Sequence, residues 1–273
     1  MRMRKKPNLK ARMEKCGHLL VKEPELYRGR WLDFAYSIES GLGRDHKAVN
    51  GGDPFGELHV ELGCGKGRFT VETAKAEEVE AEASAAAAES ATNADAESAS
   101  AGITAGTPAA STAASGRVLL VALEKSADAM IIALERAFAE NLKNVLFVNA
   151  YADNLSDYFA PGEVSRIYLN FCDPWPSNRH AKRRLTNRRF LELYLQALRP
   201  GGEVHFKTDN LQLFDYSLKE FERAGLQVSG ITRDLHKDGP VGVMTDYELK
   251  FHSQGSPIFR CTAQRDSTCS SSR

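Results

Sequence analysis

The side chains best suited to chemistry lie at the end of one apolar run. Residues 167–171 (Ile-Tyr-Leu-Asn-Phe) are β-branched, aromatic and aliphatic, which is typical of a buried strand. Pro174 has no N–H for a strand ladder and biases Asp173 away from helix, so the strand must end there. Asn170 and Asp173 are therefore predicted at the carboxyl end of a strand, where ligands bind in open α/β sheets.

A basic segment follows this strand end. Residues 179–184 read Arg-His-Ala-Lys-Arg-Arg, a density of positive charge that suits phosphate groups. Between the two, Pro174 and Pro176 flank Trp175, whose ring could form a wall of the site or simply pack on the body. A polar strand end, a restrained aromatic ring and a basic cluster together predict chemistry on nucleic acid.

A second candidate site is a glycine-rich turn. Residues 57–62 predict a strand, and they run directly into Gly63-Cys-Gly-Lys-Gly and a helix from about Arg68. The spacing fits neither a P-loop nor the G-x-G-x-x-G fingerprint of dinucleotide-binding folds. Glu61, just before the glycines, would repel a pyrophosphate. It would suit a cationic ligand, such as the sulfonium and amino group of S-adenosylmethionine.

Glu124 is the expected partner of Glu61. In nucleotide-binding βαβ units, an acid about 20 residues after the loop binds the ribose hydroxyls. Glu124 lies 63 residues after Glu61, but 41 of these belong to an Ala-rich segment, residues 76–116. Without that segment the gap is 22 residues, which predicts Glu124 as the ribose ligand. The alternative is that both acids are solvated strand ends.

The remaining pattern alternates strands and helices. Further strands are predicted over residues 118–123, 145–148, 203–208, 226–232 and 249–259, with Thr186 as the N-cap of a helix. The fold class is therefore α/β: a doubly wound, mostly parallel, seven-stranded Rossmann-like sheet with helices on both faces and an antiparallel C-terminal strand. We expect one domain over residues 41–273, interrupted by a disordered or loosely helical insertion over 76–116.

Composition narrows the function classes. The chain has 42% hydrophobic and 26% charged residues, no apolar run long enough for a membrane span, and five scattered cysteines without a CxxC pair. These features predict a cytoplasmic protein with no metal site and no disulfide framework. The net charge is zero, but residues 76–116 hold seven acids and no Lys or Arg, which leaves the rest at +7. That excess predicts an anionic partner.

The N-terminal 40 residues are predicted to be a basic arm followed by a packing segment. Residues 1–15 carry seven Lys or Arg side chains and few apolar ones, so they are expected to be mobile unless a partner orders them. The arm could be a solubilising tail or could bind RNA.

Taken together, these stretches resemble the tRNA (guanine-N7-)-methyltransferase family. The resemblance covers residues 61–67, 168–176, 180–185, 206–210 and 245–248. It implies a class I methyltransferase, a monomer or homodimer, that uses S-adenosylmethionine to methylate guanine 46 in the variable loop of tRNA. The chain departs from the family at Tyr151, where acidic or small polar residues are common, at Ser177-Asn178, where a basic residue is expected, and in the insertion.

The resemblance also implies roles for individual residues. Cofactor contacts are expected from Glu61, Gly63, Gly65, Glu124, Tyr151 and Asp173. Contacts to the target guanosine are expected from Ser177, Asp209, Thr245, Asp246, Tyr247 and Glu248. Contacts to the tRNA are expected from Arg179, His180, Lys182, Arg183 and Arg184, and no metal ligands are implied.

The implied reaction needs no general base. Guanine N7 already carries a lone pair, so the protein must align N7, methyl carbon and sulfur, and stabilise the positive charge that moves onto the purine. We expect Asp173 to be the catalytic residue that orients cofactor and base, and Asp209 to bind the guanine. An amino-group methyltransferase acting on adenine or protein, or a non-catalytic RNA-binding protein on the same fold, remain as alternatives.

Overall fold

One eight-stranded sheet carries the fold in the computed structural model, which describes residues 5–40, 55–97 and 117–267. Its strands are β1 (Leu20–Val21), β2 (Phe55–Leu62), β3 (Arg117–Leu123), β4 (Val145–Val148), β5 (Val164–Asn170), β6 (Leu198–Thr208), β7 (Gln227–Thr232) and β8 (Phe259–Gln264). Their order across the sheet is β1-β4-β3-β2-β5-β6-β8-β7. The first six are parallel, whereas β8 and β7 are antiparallel to their neighbours.

The helices lie between these strands. They are α1 (Leu9–Lys15), α2 (Trp31–Glu39), α3 (Arg68–Glu97), α4 (Ala127–Ala139), α5 (Leu155–Tyr158), α6 (Arg188–Ala197), α7 (Leu211–Arg223) and α8 (Asp246–Ser253). Short 3-10 turns cover Pro24–Tyr27, Ala152–Asn154 and Asn178–Arg183. Among the described residues, none of these helices has the length and apolar character needed to span a membrane.

The strand order creates a switch point between β2 and β5. The chain runs outward from β2 to β3 and β4, then returns to β5 on the other side of β2. The loops that leave β2 and β5 therefore diverge, and a crevice opens between them at the carboxyl edge of the sheet. The predicted fold class is confirmed, with β1 as an additional two-residue strand at one edge.

Alternating side chains of β3 show that both faces of the sheet are covered. Leu119, Val121 and Leu123 belong to one buried cluster, and Leu120 and Ala122 belong to the other. Each face is packed against helices, so the strand has to be apolar on both sides. This explains why β3 has an uninterrupted apolar run rather than an alternating one.

The N-terminal segment packs on the body, in contrast to the mobile arm expected from its charge. The Arg12 guanidinium donates two hydrogen bonds to Glu135 of α4, at 2.7 and 2.6 Å, and the Lys6 amide donates to Asp128 at 2.7 Å. Cys16 is buried at the end of α1. One of the seven basic side chains of this segment, Arg12, is therefore paired with a carboxylate of the protein itself. Residues 1–4 lie outside the described residues.

The C-terminal region differs from the prediction of a strand over residues 249–259. Residues Asp246–Ser253 form α8, and the last strand begins only at Phe259. A capping box causes this: the Thr245 hydroxyl accepts from the Glu248 amide, and the Glu248 carboxylate accepts from the Thr245 amide. The predicted N-cap of α6 also moves by one residue, to Asn187.

The Ala-rich segment begins as regular helix. α3 continues through Glu97, so residues 76–97 are helical, and residues 98–116 lie outside the described part of the chain. Alanine has the highest helix propensity, which favours this continuation although the segment offers little to bury. The start of the predicted domain, residues 41–54, also lies outside the described residues.

Trp31 should contribute strongly to the stability of the fold, because it fixes α2 to the body. Its side chain is fully buried, its indole N–H donates to the Tyr158 carbonyl at 2.9 Å, and its ring stacks on Phe159. We expect Trp31→Ala to lower the free energy of unfolding by about 3–5 kcal/mol, measured by denaturant titration. The nearby Leu26, which is 53% exposed, supplies the control, and Leu26→Ala should cost less than about 0.5 kcal/mol. Equal losses would contradict this packing.

Candidate active site

The glycine-rich loop after β2 is fastened to the end of β3. The Leu123 carbonyl accepts from the amides of both Gly63 and Cys64, at 2.8 and 3.1 Å. Gly63 has φ +82°, in the left-handed region that glycine adopts without strain. Gly67 has a second constraint, because a Cβ there would come within 2.4 Å of the Ala133 Cβ on α4. The loop therefore turns sharply and packs closely between the sheet and α4.

Glu61 lies at the end of β2 with its carboxylate buried. Thr70 Oγ1 donates to one carboxylate oxygen at 2.5 Å and Asn170 Nδ2 donates to the other at 3.2 Å. Burial raises the pKa of Glu61 to about 6, partly opposed by those two hydrogen bonds and by the nearby Lys207 ammonium. The Asn170 contact joins the ends of β2 and β5, as expected for a switch point.

Glu124 at the end of β3 faces the same loop. Its carboxylate accepts from the amides of Gly65 and Ser126, at 3.0 and 2.8 Å, while its own carbonyl accepts from Asn149 Nδ2 at 2.7 Å. Only 9% of the residue is exposed. Glu61 and Glu124 are therefore not solvated strand ends, and the alternative raised from the sequence is wrong.

This arrangement decides which ligands the loop can take. The amides of Gly63, Cys64 and Gly65 already have protein acceptors, so they are not free to bind a phosphate. The two carboxylates instead leave lone pairs available for hydroxyl and ammonium donors. The edge therefore fits a ligand that carries ribose hydroxyls and positive charge. No group of three or more His, Cys, Asp or Glu side chains in the described parts of the chain is placed to bind a metal ion.

The segment after β5 has two residues in strained backbone conformations. Phe171 and Trp175 have φ of +51° and +41°, values that are uncommon for bulky side chains and that cluster at functional sites. Asp173 lies between them with 70% of its side chain exposed, and its nearest ionic partner is the Lys125 ammonium at 4.0 Å. The adjacent Cys172 thiol is unsuited to be a nucleophile, because burial and the Asp173 charge raise its pKa to about 12.

The basic segment divides into an outer and an inner part. Four of its side chains are exposed: Arg179, His180, Lys182 and Arg183. Arg184 is instead 7% exposed, and its guanidinium donates to the carbonyls of Pro174 and Trp175, each at 3.0 Å. Arg184 therefore holds the strained segment in place rather than facing solvent. Trp175 itself is half-buried, with the Arg183 guanidinium 4.8 Å above its ring.

Glu248, in the first turn of α8, is fully buried, and its carboxylate already has two side-chain hydrogen-bond partners. Lys207 Nζ donates to it at 2.8 Å, and His236 Nε2 donates at 2.9 Å because the His236 Nδ1 accepts from the Val241 amide. Burial lowers the pKa of Lys207, and the charge of Glu248 opposes that shift. Sequence reasoning missed both partners: Lys207 lies in an ordinary strand pattern, and His236 is 12 residues from Glu248 with no motif.

The other residues predicted to contact guanosine or cofactor surround the same edge. Asp209 is half-buried directly after β6, and Ser177 is exposed at the start of the basic segment. Tyr247 is 58% exposed, with its ring 6.2 Å from that of Phe171. Tyr151 is 63% exposed, so its side chain stands in solvent. Thr245 and Asp246 begin α8, where Asp246 pairs with Arg136.

Comparison with known proteins assigns the chain to a family. A family described as "Putative methyltransferase" matches residues 102–261. The tRNA (guanine-N(7)-)-methyltransferase of Geobacillus sp. strain WCH70 is 35% identical over 262 residues, which are 96% of this chain and 94% of the relative. The enzyme of the same name from Bacillus cytotoxicus is 34% identical over 265 residues, 97% of each protein. The chain belongs to the tRNA (guanine-N(7)-)-methyltransferase family.

Solved structures agree on the fold. The 16S rRNA methyltransferase KamB superposes with a TM-score of 0.51 at 15% identity, covering 78% of this chain and 89% of that one. An antibiotic-related methyltransferase gives 0.50 at 12% identity, covering 81% and 96%. The family resemblance expected from the sequence is confirmed by the relatives at 34–35% identity. Membership in this family implies a methyl donor of the S-adenosylmethionine type, which the two buried carboxylates fit.

The raised pKa of Glu61 predicts a pH-dependent contribution to stability. The folded protein binds this proton more tightly than the unfolded chain, so protonated Glu61 stabilises the fold below about pH 4.5. That contribution is lost as pH rises through about 6. Relative to Glu61→Gln, the wild type should therefore lose about 2 kcal/mol of unfolding free energy across this window in denaturant titrations.

Glu135 supplies a control of opposite sign. Its hydrogen bond with Arg12 lowers its pKa, so its contribution is present at neutral pH and lost as pH falls. Relative to Glu135→Gln, the wild type should gain stability as pH rises. A difference between wild type and Glu61→Gln that did not change with pH would contradict the raised pKa.

Proposed function

We propose that this protein transfers a methyl group from S-adenosylmethionine to N7 of guanine in tRNA, at position 46 of the variable loop. The observation that carries the proposal is the convergence of buried Glu61, buried Glu124 and exposed Asp173 at the ends of β2, β3 and β5. The near full-length similarity to enzymes named for this reaction supports it.

The cofactor would lie over the glycine loop. When bound, S-adenosylmethionine supplies an electrophilic methyl group on a positively charged sulfur. Glu124 is placed to accept hydrogen bonds from ribose hydroxyls, since its two backbone contacts leave lone pairs free. Glu61, held by Thr70 and Asn170, supplies negative charge near a cationic ligand. Tyr151 would contribute through its backbone, because its side chain faces solvent.

The protein's task in the reaction is alignment and charge stabilisation. Guanine N7 attacks with its own lone pair, so no side chain has to remove a proton first. Asp173 is exposed between Phe171 and Trp175, whose strained backbone conformations shape the segment that follows β5. There it would orient the donor and the base and stabilise the positive charge that arrives on the purine. Asp209, at the end of the next strand, would bind the guanine.

The residues of α8 would contribute in two ways. Tyr247 is exposed beside Phe171 and could contact the base directly. Glu248 is fully buried and bound to Lys207 and His236, so it would act by positioning the turn that presents Thr245 and Tyr247. This distinction refines the set of contacts expected from the resemblance, in which all members of the segment touch the guanosine.

Transfer of labelled methyl groups to unmodified tRNA, followed by digestion to nucleosides, tests the proposal. Label in 7-methylguanosine at position 46 would support it. Label in another nucleoside would support methyltransferase activity but contradict guanine N7 as its target. Binding of S-adenosylmethionine and tRNA without transfer would favour a non-catalytic RNA-binding role.

Asp173→Ala should lower kcat by about 10²-fold with little change in tRNA affinity, because the carboxylate acts mainly in the transition state. Asp157→Ala, which removes an exposed carboxylate from α5, should leave kcat unchanged. The comparison requires single-turnover rates with saturating tRNA. Near-normal turnover by Asp173→Ala would remove this residue from the mechanism.

The outer and inner parts of the basic segment should respond differently to substitution. Lys182→Ala should weaken tRNA binding and reduce the slope of log affinity against log salt by about 1, as expected for one lost phosphate contact. Lys219→Ala, on the exposed side of α7, should leave the slope unchanged. Arg184→Ala should leave the slope unchanged and lower kcat by releasing Pro174 and Trp175. A reduced slope for Arg184→Ala would contradict its inward role.

A further inference from the structure

One guanidinium on α4 bridges the glycine loop and α8. Arg136 Nη1 donates to the Lys66 carbonyl at 3.1 Å and to Asp246 Oδ2 at 2.7 Å, while Nη2 donates to Asp246 Oδ1 at 3.3 Å. Lys66 lies inside the loop assigned to the cofactor, and Asp246 begins the helix assigned to the target base. The same side chain therefore contacts both halves of the site.

Close packing fixes where Arg136 stands. Ala133 lies one turn earlier on the same face of α4, and the Gly67 backbone rests against it so closely that any Cβ at Gly67 would clash. Arg68, the first residue of α3, reaches Asp246 as well, at 3.9 Å. The end of the glycine loop, α4 and the start of α8 thus meet at one point.

Asp246 and Glu248, at the two ends of the first turn of α8, differ in how firmly their side chains are fixed. Glu248 is fully buried and paired with Lys207, so that end is fixed. The Arg136 and Asp246 side chains are 36% and 37% exposed, so their pairing can be broken and remade at low cost. Any difference in the loop between ligand-free and ligand-bound protein would reach α8 through this adjustable end.

We propose that Arg136 is a positioning residue that couples cofactor binding to tRNA binding. The inference rests on the proposed function. A ligand that settles the loop fixes the Lys66 carbonyl, which orders the Arg136 guanidinium and with it Asp246 and the exposed Tyr247. By linkage, tRNA that engages the start of α8 tightens cofactor binding by the same factor.

The test measures the affinity for tRNA with and without S-adenosylhomocysteine, which occupies the cofactor site but cannot donate a methyl group. The ratio of the two affinities is the coupling. We expect a ratio of about fivefold for the wild type and about one for Arg136→Gln, with partial recovery in Arg136→Lys, which keeps the charge. The reciprocal titration of S-adenosylhomocysteine with and without tRNA should give the same ratios.

Arg12→Gln is the matched control. Arg12 also forms a two-bond pair with a carboxylate of α4, Glu135, at similar exposure, but it does not contact the loop or α8. Its variant should keep the wild-type ratio, and both variants should melt at similar temperatures. The double variant Arg136→Gln with Asp246→Asn should have the same ratio as Arg136→Gln alone, because the two residues act as one unit.

The outcomes separate this inference from the proposed function. If the wild type does not bind S-adenosylhomocysteine or tRNA, or methylates another nucleoside, the proposed function fails. If the wild type binds both ligands and forms 7-methylguanosine, a ratio near one for the wild type overturns the coupling. An unchanged ratio in Arg136→Gln, or an equal loss in Arg12→Gln, would overturn the role of Arg136.

Discussion

The site depends on hydrogen bonds that tie the loops after β2 and β4 to the end of β3. The Leu123 carbonyl accepts from Gly63 and Cys64, the Glu124 carboxylate accepts from Gly65, and the Glu124 carbonyl accepts from Asn149. Because these are mostly backbone groups at the ends of packed strands, the start of the loop after β2 and the loop after β4 are held to β3. The Glu124 carboxylate and the amides of residues 63–65 are therefore ordered during folding rather than during ligand binding. Lys66 is not among these groups, and its carbonyl contacts the partly exposed Arg136 instead.

The fold buries the Glu61 carboxylate away from water, and its neighbours offset only part of the resulting desolvation cost. Glu61 keeps a raised pKa although Thr70, Asn170 and the nearby Lys207 all favour its charged form. The Lys207 ammonium acts on both Glu61 and Glu248, but its hydrogen bond is to Glu248. A buried carboxylate whose countercharge is directed elsewhere is a poor stabilising element and a good site for a cation. Raised pKa values of this kind are common at functional sites.

The sequence was sufficient for the parts of this protein that depend on local pattern. Apolar runs located the central strands, the glycines located the loop, and subtracting an Ala-rich segment located Glu124. It failed where a tertiary contact outweighed local preference. A basic N-terminal arm looks mobile until Glu135 and Asp128 of α4 are placed beside it. The strand predicted over residues 249–259 is a different kind of error, because it overlooks a local helix-start signal, the capping box of Thr245 and Glu248. Arg184 cannot be told from its exposed neighbours by charge alone, since only the fold turns it inward.

The Ala-rich insertion is tolerated because of where it enters the fold. α3 starts at the glycine loop on the carboxyl edge, and its Glu78 reaches Arg117, the first residue of β3, at 3.3 Å. The helix has therefore already crossed the sheet to the amino edge by Glu78. The residues from there to Glu97 extend about 28 Å further at the helical rise. Both ends of the segment that joins α3 to β3 thus lie on the side away from Glu61, Glu124 and Asp173. Lengthening a connection there costs little closure entropy, so 41 residues can separate two acids that still face one loop.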